Sequence, residues 1–232
     1  GVRIYEDSEV HKMEGTTAKT HLGSVSAKKV IICIDKIKSE FDEDISKKTY
    51  HIQTYLAISE PLNKNEMNSL FPKGELMCWD TNWNYAHYRP VVGNRILIGG
   101  SSNLTVYRSK YHHSPKVIES FINNLKQRFP EIKDVHFTHY WSGLIDVTKD
   151  LIPIVDHDPK NKSILYALGC AGLNWAAYCG GYLARKIINP ENTEDLAEFV
   201  GMHRKFFLSD SYHKIFGKKV AFALSHIREL IR

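Results

Sequence analysis

The chain has 232 residues, of which 43% are hydrophobic and 25% are charged, and it carries a formal net charge of +5. These values are typical of a globular protein of one or two domains and argue against an intrinsically disordered chain. Because acidic residues are interspersed with the basic ones, the modest positive charge favours solubility over binding to nucleic acid.

The cysteines and the apolar runs indicate the compartment. The four cysteines, Cys33, Cys78, Cys170 and Cys179, have no paired spacing, which is typical of reduced thiols and predicts a cytoplasmic protein. No stretch reaches the roughly 18 to 20 apolar residues of a membrane span, and the first residues lack a signal-peptide pattern. The twelve histidines lack the spacing of zinc ligands, so no metal site is predicted.

Residues 1–35 are predicted to form three strands, at residues 1–5, 9–13 and 25–34. The last of them ends in Val-Ile-Ile-Cys-Ile at residues 30–34, a run that is apolar on both faces. Such a run belongs in the middle of a sheet that is covered on both sides. The partners of this strand are therefore expected from a later part of the chain.

A strand-rich region follows a highly charged connection at residues 36–48. Residues 83–89 alternate, so that Arg89 lies on one predicted face of a strand and Tyr88 on the other. The turn at residues 92–94 makes residues 95–98 the hairpin partner of that strand. Other strands are predicted at residues 50–58, 77–79 and 135–140, and a short polar helix or loop at residues 62–70.

One longer helix is predicted in this region. Ser114 and Pro115 suit the N-cap and the first helical position. An apolar stripe from Val117 to Leu125 follows, and Pro130 ends the pattern. The expected fold class is α+β, with a mostly antiparallel sheet and packed helices.

Residues 164–188 are the most informative stretch. Residues 164–168 are apolar and β-prone, Gly169 and Gly172 form a tight turn, and an apolar segment long enough for a helix follows. Such a turn exposes backbone N–H groups at the positive end of a helix dipole, which suits an anionic or electron-rich ligand. An ordinary buried helix packed on a sheet explains the same glycines, and both interpretations stay open.

The order of the segments predicts that the chain leaves one domain and later returns to it. Residues 1–35 and 141–189 are interpreted as parts of a single domain, and residues 36–140 as a second domain. Residues 190–232 are predicted to be a C-terminal helical extension, and residues 218–232 have the pattern of an amphipathic helix.

Five motifs, in this order along the chain, resemble one enzyme family. They are similar to the C-terminal portion of flavin-dependent amine and amino-acid oxidoreductases of the D-amino-acid-oxidase-like group, and within it to the gamma-glutamylputrescine-oxidase type. The likeness spans nearly the whole chain. The motifs are residues 1–6 with Val10, residues 27–34, Tyr88 and Arg89 with residues 94–100, residues 141–150 with Pro153, and residues 169–174.

The resemblance implies FAD as a non-covalent cofactor and assigns residues to it. The backbone at Val10 is expected beside the adenine end, and Gly143 and Leu144 beside the isoalloxazine. Donors at a helix N-terminus suit the pyrimidine edge, where reduced flavin carries negative charge. The residues implied to supply these donors are Gly169, Gly172, Leu173 and Asn174.

The resemblance also implies oxidation of the C–N bond of an amine or amino acid. A hydride passes from the carbon that bears the neutral amine to flavin N5, water hydrolyses the imine, and reoxidation by O₂ gives hydrogen peroxide. Tyr88, Arg89 and Trp141 are the candidate catalytic, substrate-facing residues. Arg89 suits a substrate carboxylate because its planar fork makes two parallel hydrogen bonds. Each of the three also has a structural interpretation, as a surface, ion-pair or core residue.

The chain departs from the family pattern at several positions. It contains no Gly-x-Gly-x-x-Gly turn of the kind that binds FAD in the family, so it is interpreted as lacking the N-terminal FAD-binding half and is expected to be colourless and inactive alone. Asp35 stands where the family usually has glycine near the pyrophosphate. Residues 95–98 contain Arg95 but not the oxygen-activating lysine of sarcosine-oxidase-like relatives. Dehydrogenase activity with another electron acceptor therefore stays open as an alternative to oxidase activity. No cysteine lies near Gly143, the region of covalent flavin attachment in some relatives.

A second hypothesis comes from a different functional class. A non-catalytic domain could keep this fold and use its sheet face or its basic tail to bind a protein partner. A strand–turn–helix with Gly-x-Gly-x-x-Gly, in the same polypeptide or in a neighbouring chain, distinguishes the enzyme from the binding domain.

Overall fold

The structure is a computed structural model, and it divides the chain into two compact units. Unit 1 comprises Gly1–Tyr50 and Asp146–Asp210, and unit 2 comprises His51–Ile145 and Ser211–Arg232. The chain passes from unit 1 to unit 2 after Tyr50 and returns to unit 1 at Asp146. The residues that the structure describes are 1–35, 37, 41–81, 86–101, 114–148, 150–204, 215–216 and 220.

Eleven strands and five helices lie in these ranges. The strands are β1 (Lys12–Glu14), β2 (Thr17–Lys19), β3 (Ser24–Ser26), β4 (Val30–Ile32), β5 (Thr49–Ser59), β6 (Cys78–Trp79), β7 (His87–Val91), β8 (Arg95–Ser101), β9 (Phe137–Thr148), β10 (Ile154–His157) and β11 (Ile164–Leu168). The helices are α1 (Glu43–Ser46), α2 (Lys64–Leu70), α3 (Pro115–Arg128), α4 (Leu173–Ile188) and α5 (Ala197–Val200).

Unit 1 is built on a three-stranded sheet in the order β10-β11-β4. The central strand β11 pairs antiparallel with β10 and parallel with β4. Successive residues of β11 point to opposite faces, so Tyr166 packs with Ile32 and Met202 in one cluster. On the other face, Leu165 packs against Leu183 of α4. A separate antiparallel sheet in unit 1 has the order β1-β2-β3.

Unit 2 is built on a five-stranded sheet in the order β6-β7-β8-β5-β9, and α3 packs on one face of it. Pro115 begins α3 because the first helical N–H needs no partner, and the helix ends before Pro130. Its buried residues Ile118 and Leu125 are seven positions apart, on one helical face, and contact Ile98 of the sheet within one core cluster.

The predicted α+β class is confirmed, because antiparallel strands and packed helices make up both units. The strand predicted at residues 1–5 is wrong, since these residues are exposed and belong to no strand of the described ranges. The strand predicted at residues 25–34 is two strands. β3 pairs with β2 and β4 pairs with β11, and one continuous strand cannot belong to two separate sheets.

Several predicted segments lie partly or wholly outside the described residues. These segments include residues 83–85 of the alternating strand and the amphipathic pattern at residues 218–232. Of the C-terminal extension, residues 190–204, 215–216 and 220 are described. Residues 190–204 belong to unit 1, and residues 215–216 and 220 belong to unit 2. No helix in the described part of the chain is long and apolar enough to cross a membrane.

Candidate functional site

The turn between β11 and α4 requires its two glycines. Gly169 has a φ of +64° and Gly172 a φ of +92°, a region that side chains disfavour. At Gly169 a Cβ atom would lie 2.9 Å from Thr148 Cγ2 and 3.2 Å from its backbone nitrogen. A Cβ atom at Gly172 would meet no atom of the described residues within 4 Å, so the turn is tightly packed at Gly169 and open at Gly172.

The N-terminus of α4 is open to a ligand. Gly172 is the N-cap and offers no side-chain acceptor, and the helical bonding begins with Ala176 N–H donating to the Gly172 carbonyl at 3.1 Å. Leu173 and Asn174 are exposed, and the first N–H groups of a helix have no partner within the helix. These donors and the positive end of the helix dipole suit an anion or the electron-rich edge of a ring. The residues present therefore fit the pyrimidine edge of a flavin.

A partly buried ion pair lies behind the turn. Arg204 donates from Nε and Nη2 to the two carboxylate oxygens of Asp150, at 2.9 and 2.8 Å. Thr148, which packs against Gly169, donates its hydroxyl to Asp150 at 2.9 Å. Burial favours the protonated form of Asp150, but the hydrogen bonds and charge of Arg204 outweigh it and lower the pKa of this carboxyl. No motif or spacing in the sequence indicated this network.

Two other residues considered for the cofactor region also lie in unit 1. Val10 is 39% exposed and belongs to no strand. The carboxylate of Asp35 accepts a hydrogen bond from the backbone N–H of Asp146 at 3.0 Å. This bond gives Asp35 a structural role after the end of β4.

The side chains of Tyr88 and Arg89 point to opposite faces of the unit 2 sheet. Tyr88 lies opposite Ile98 and packs its ring against Phe71 and Phe129, with centroids 5.7 and 5.8 Å apart. Burial, with a contribution from Cys78, raises the pKa of Tyr88 to about 12. Tyr88 therefore belongs to the core under α3. The two predicted substrate-facing residues do not line one surface.

Arg89 shares the other face of the sheet with His87. Arg89 lies opposite Leu97 and is exposed, and His87 lies opposite Gly99. The His87 ring lies so close to Gly99 that a Cβ there would be 2.8 Å from Nε2. Burial and the charge of Arg89 lower the pKa of His87, so this imidazole is neutral near pH 7. The two-residue period of the strand places His87 and Arg89 on one face, a signal present in the sequence.

The remaining predicted residues lie along β9. The Gly143 carbonyl accepts a hydrogen bond from the Thr54 hydroxyl at 3.4 Å, and Gly143 and Leu144 are both partly exposed. Trp141 is 42% exposed. Trp141 therefore presents part of its apolar surface on β9.

Comparisons with known proteins agree on one family. The model of the family described as FAD dependent oxidoreductase (DAO) matches residues 1–186. The probable oxidoreductase OrdL of Haemophilus influenzae is 23% identical over 210 residues, which cover 87% of this chain and 46% of that protein. D-amino acid dehydrogenase of Vibrio atlanticus is 23% identical over 212 residues, which cover 88% of this chain and 48% of that protein.

Solved structures show the same fold. The crystal structure of glycine oxidase from Geobacillus kaustophilus superimposes with a TM-score of 0.68 at 19% identity, covering 87% of this chain and 54% of that chain. Likeness at this identity shows the fold alone. The chain spans about half the length of the curated relatives that it matches.

Proposed function

The chain belongs to the FAD-dependent oxidoreductase (DAO) family, and from that premise we propose that it is part of a flavin enzyme that oxidises the C–N bond of an amine or amino acid. The observation that carries the proposal is the open turn from Gly169 to Asn174. Its glycines adopt backbone conformations that other residues disfavour, and no side-chain hydrogen bond caps the helix N-terminus that follows it.

The proposed cofactor is non-covalent FAD. When bound, FAD would supply the electron acceptor for oxidation of the C–N bond, with O₂ or another compound as the final acceptor. The N–H groups of Leu173 and Asn174 would hold the pyrimidine edge by hydrogen bonds and favour negative charge there. We also propose that Val10 lies beside the adenine end and that Gly143 and Leu144 border the ring system.

Arg89 is the proposed anchor for a substrate carboxylate. It is exposed on the sheet face that carries His87, and a guanidinium binds a carboxylate through two parallel hydrogen bonds. Tyr88 is a weaker candidate because its ring packs against Phe71 and Phe129. Trp141 supplies apolar contact to the substrate side chain.

A second polypeptide segment is proposed to complete unit 1. β4 lies at the edge of its described sheet, with Ile31 43% and Ile34 44% exposed. On α4, Leu173 is 88% and Ile188 82% exposed. Apolar surface of this extent on a sheet edge and a helix face marks a contact site. The proposed occupant is the nucleotide-binding strand–turn–helix with Gly-x-Gly-x-x-Gly, and without it the chain is colourless and inactive.

The same apolar surface is the observation that favours the alternative, a non-catalytic domain that binds a protein partner. The two functions differ in their need for a flavin. The enzyme requires the nucleotide-binding segment and turns over amines, whereas the binding domain does neither.

The proposal is tested with this chain joined to, or co-expressed with, its nucleotide-binding segment. A panel of amines and amino acids, including gamma-glutamylputrescine as the subgroup likeness suggests, is supplied, and peroxide release and dye reduction are followed separately. We expect turnover of at least one C–N substrate. Peroxide release identifies an oxidase, and dye reduction alone identifies a dehydrogenase. A flavin-free protein without turnover contradicts the proposal.

A further inference from the structure

The face of the unit 2 sheet that α3 covers holds a cavity of about 160 Å³ at the edge formed by β6. Its floor is a row of three cross-strand neighbours, Cys78, Tyr88 and Ile98, which lie opposite one another on β6, β7 and β8. Their side chains share one face of the sheet, because directly paired residues point the same way. The cavity therefore lies on the face opposite to Arg89.

The last two turns of α3 form the roof of the cavity. Phe121, Leu125 and Arg128 recur at helical spacing on one face of α3, and Asn124 lines the cavity with them. Phe121 also lies close to β8, since a Cβ atom at Gly100 would be 2.6 Å from its ring. The helix thus packs directly on β8, and the gap beneath it lies towards the β6 edge.

Short side chains at this edge leave the space open. Cys78 and Ala86 line the cavity at positions where a larger residue would fill it. The Asp80 N–H donates to the Ala86 carbonyl at 3.0 Å, which fixes the rim between them. An apolar cavity of about 150 Å³ in a protein admits benzene. The cavity under α3 therefore has room for a branched aliphatic or a phenyl side chain.

Opposite charges meet at the mouth of the cavity. The Arg128 guanidinium lies 3.8 Å from the Asp80 carboxylate, and their side chains are 55% and 15% exposed. This separation is longer than the roughly 2.7–3.2 Å of an N–H···O hydrogen bond, so the two groups attract one another without a direct bond. A ligand with both an ammonium and a carboxylate group replaces this single loose contact by a short hydrogen bond to each residue.

The walls of the cavity also carry neutral hydrogen-bond donors. Asn124 lies one helical turn before Arg128 and lines the same cavity. Burial, with a contribution from Cys78, raises the pKa of Tyr88 to about 12, so its hydroxyl keeps its proton at neutral pH. The cavity therefore supplies donors for a carboxylate besides the guanidinium.

We propose that this cavity binds a free α-amino acid with an apolar side chain. Arg128 and Asn124 hold its carboxylate, Asp80 holds its ammonium group, and its side chain enters the space lined by Phe121 and Leu125. A simple carboxylate is repelled by Asp80 and a simple amine by Arg128, so the paired charges select the zwitterion.

The site does not depend on the proposed enzyme activity. Arg89, the proposed anchor for a substrate carboxylate, lies on the other face of the sheet, and the turn proposed to hold the flavin belongs to unit 1. Binding under α3 needs neither flavin nor turnover, so it is measured on this chain alone and succeeds or fails independently of the oxidoreductase proposal.

The test is isothermal titration calorimetry of this chain with L-leucine. We expect one site per chain with a dissociation constant of about 1 mM or tighter. The compound 3-methylbutylamine lacks the carboxylate of leucine, 4-methylpentanoate lacks its ammonium group and free glycine lacks its side chain, and each should bind at least tenfold more weakly. Absence of leucine binding, or equal affinity for 4-methylpentanoate, overturns the proposal.

Matched variants locate the ligand. Arg128→Ala and Asp80→Asn should each weaken leucine binding at least tenfold, whereas Arg89→Ala should leave it unchanged, with circular dichroism confirming that each variant folds. Unchanged affinity in Arg128→Ala, or lost binding in Arg89→Ala, would place leucine elsewhere and overturn the proposal.

Alkylation of Cys78 gives a second measurement that needs no substitution. Cys78 is partly exposed on the floor of the cavity, and Cys33 is exposed in unit 1. Leucine at ten times its dissociation constant occupies about 90% of the sites, so alkylation of Cys78 by iodoacetamide should slow about tenfold while that of Cys33 stays unchanged. Equal protection of both thiols, or none at Cys78, contradicts binding in the cavity.

Discussion

Arg204 binds Asp150 through two hydrogen bonds, from Nε at 2.9 Å and from Nη2 at 2.8 Å, and only 4% of the Arg204 side chain is exposed. The same guanidinium donates to the carbonyls of Ile152, Pro153 and Gly201. Through Thr148, this network supports the backbone behind Gly169. The turn proposed to face the flavin is thus held by a residue far from it in sequence.

Replacing Arg204 with alanine is expected to destabilise unit 1 strongly. Asp150 is 26% exposed, so its charge remains partly hydrated, and losing its hydrogen bonds to Arg204 costs about 1.5–3 kcal/mol. Urea denaturation followed by fluorescence measures the loss. Lys47→Ala is the control, because the Lys47–Glu43 pair is exposed and its removal should not change the midpoint measurably. Equal midpoints for both variants would show that the Arg204 network is not stabilising.

Stability is expected to fall in acid because of Asp150. Its pKa is lower in the folded protein than in the unfolded chain, so its contribution is complete above the unfolded value of about 3.9 and is lost as the pH falls through the folded value. Urea midpoints between neutral pH and about pH 2 follow this loss. Asp150→Asn should be less stable at neutral pH and flatten the acid dependence. An unchanged slope in that variant would assign the acid transition to other groups.

Gly169 in the turn and Gly180 in α4 allow the same glycine-to-alanine substitution to be compared at two sites. Gly169→Ala is expected to destabilise the protein by about 1–3 kcal/mol, since alanine disfavours a φ of +64° and its methyl group meets Thr148. Gly180 is helical with open space around it, so Gly180→Ala should stabilise by about 1 kcal/mol. Chemical denaturation of both variants gives the comparison. A neutral Gly169→Ala would mean that the turn relaxes freely.

Arg89 and Tyr88 test which sheet face contacts substrate. In the active protein, Arg89→Ala should raise KM for a substrate with a carboxylate by about 10- to 100-fold, because a charge-assisted bidentate contact is lost. Tyr88→Phe keeps the packing against Phe71 and should leave KM unchanged. Steady-state kinetics with a matched substrate lacking the carboxylate provides the control. A larger effect from Tyr88→Phe would move the substrate to the α3 side of the sheet.

Local signals in the sequence predicted the elements around the turn well. Residues 164–168 were predicted as a strand and are β11, and a helix begins after Gly172, because an apolar β-prone run and two glycines leave little choice. Alternation also placed Tyr88 and Arg89 on opposite faces. It could not show which face α3 covers, since that depends on packing between distant segments.

The sequence patterns could not predict contacts between segments that are distant in the chain. The split of residues 25–34 into β3 and β4 follows from pairing with two different strands, which no single run reveals. The Arg204–Asp150 pair joins residues 54 positions apart.

The central claim, that the turn from Gly169 to Asn174 holds the flavin, is tested most directly by flavin absorbance. The protein completed by its nucleotide-binding segment is purified as wild type, Gly172→Ala and Gly180→Ala, and the flavin content of each is read from the visible spectrum. We predict yellow wild-type and Gly180→Ala proteins and at least a tenfold weaker flavin affinity for Gly172→Ala, about 1.4 kcal/mol. Full flavin content in folded Gly172→Ala, or a colourless wild type, would contradict it.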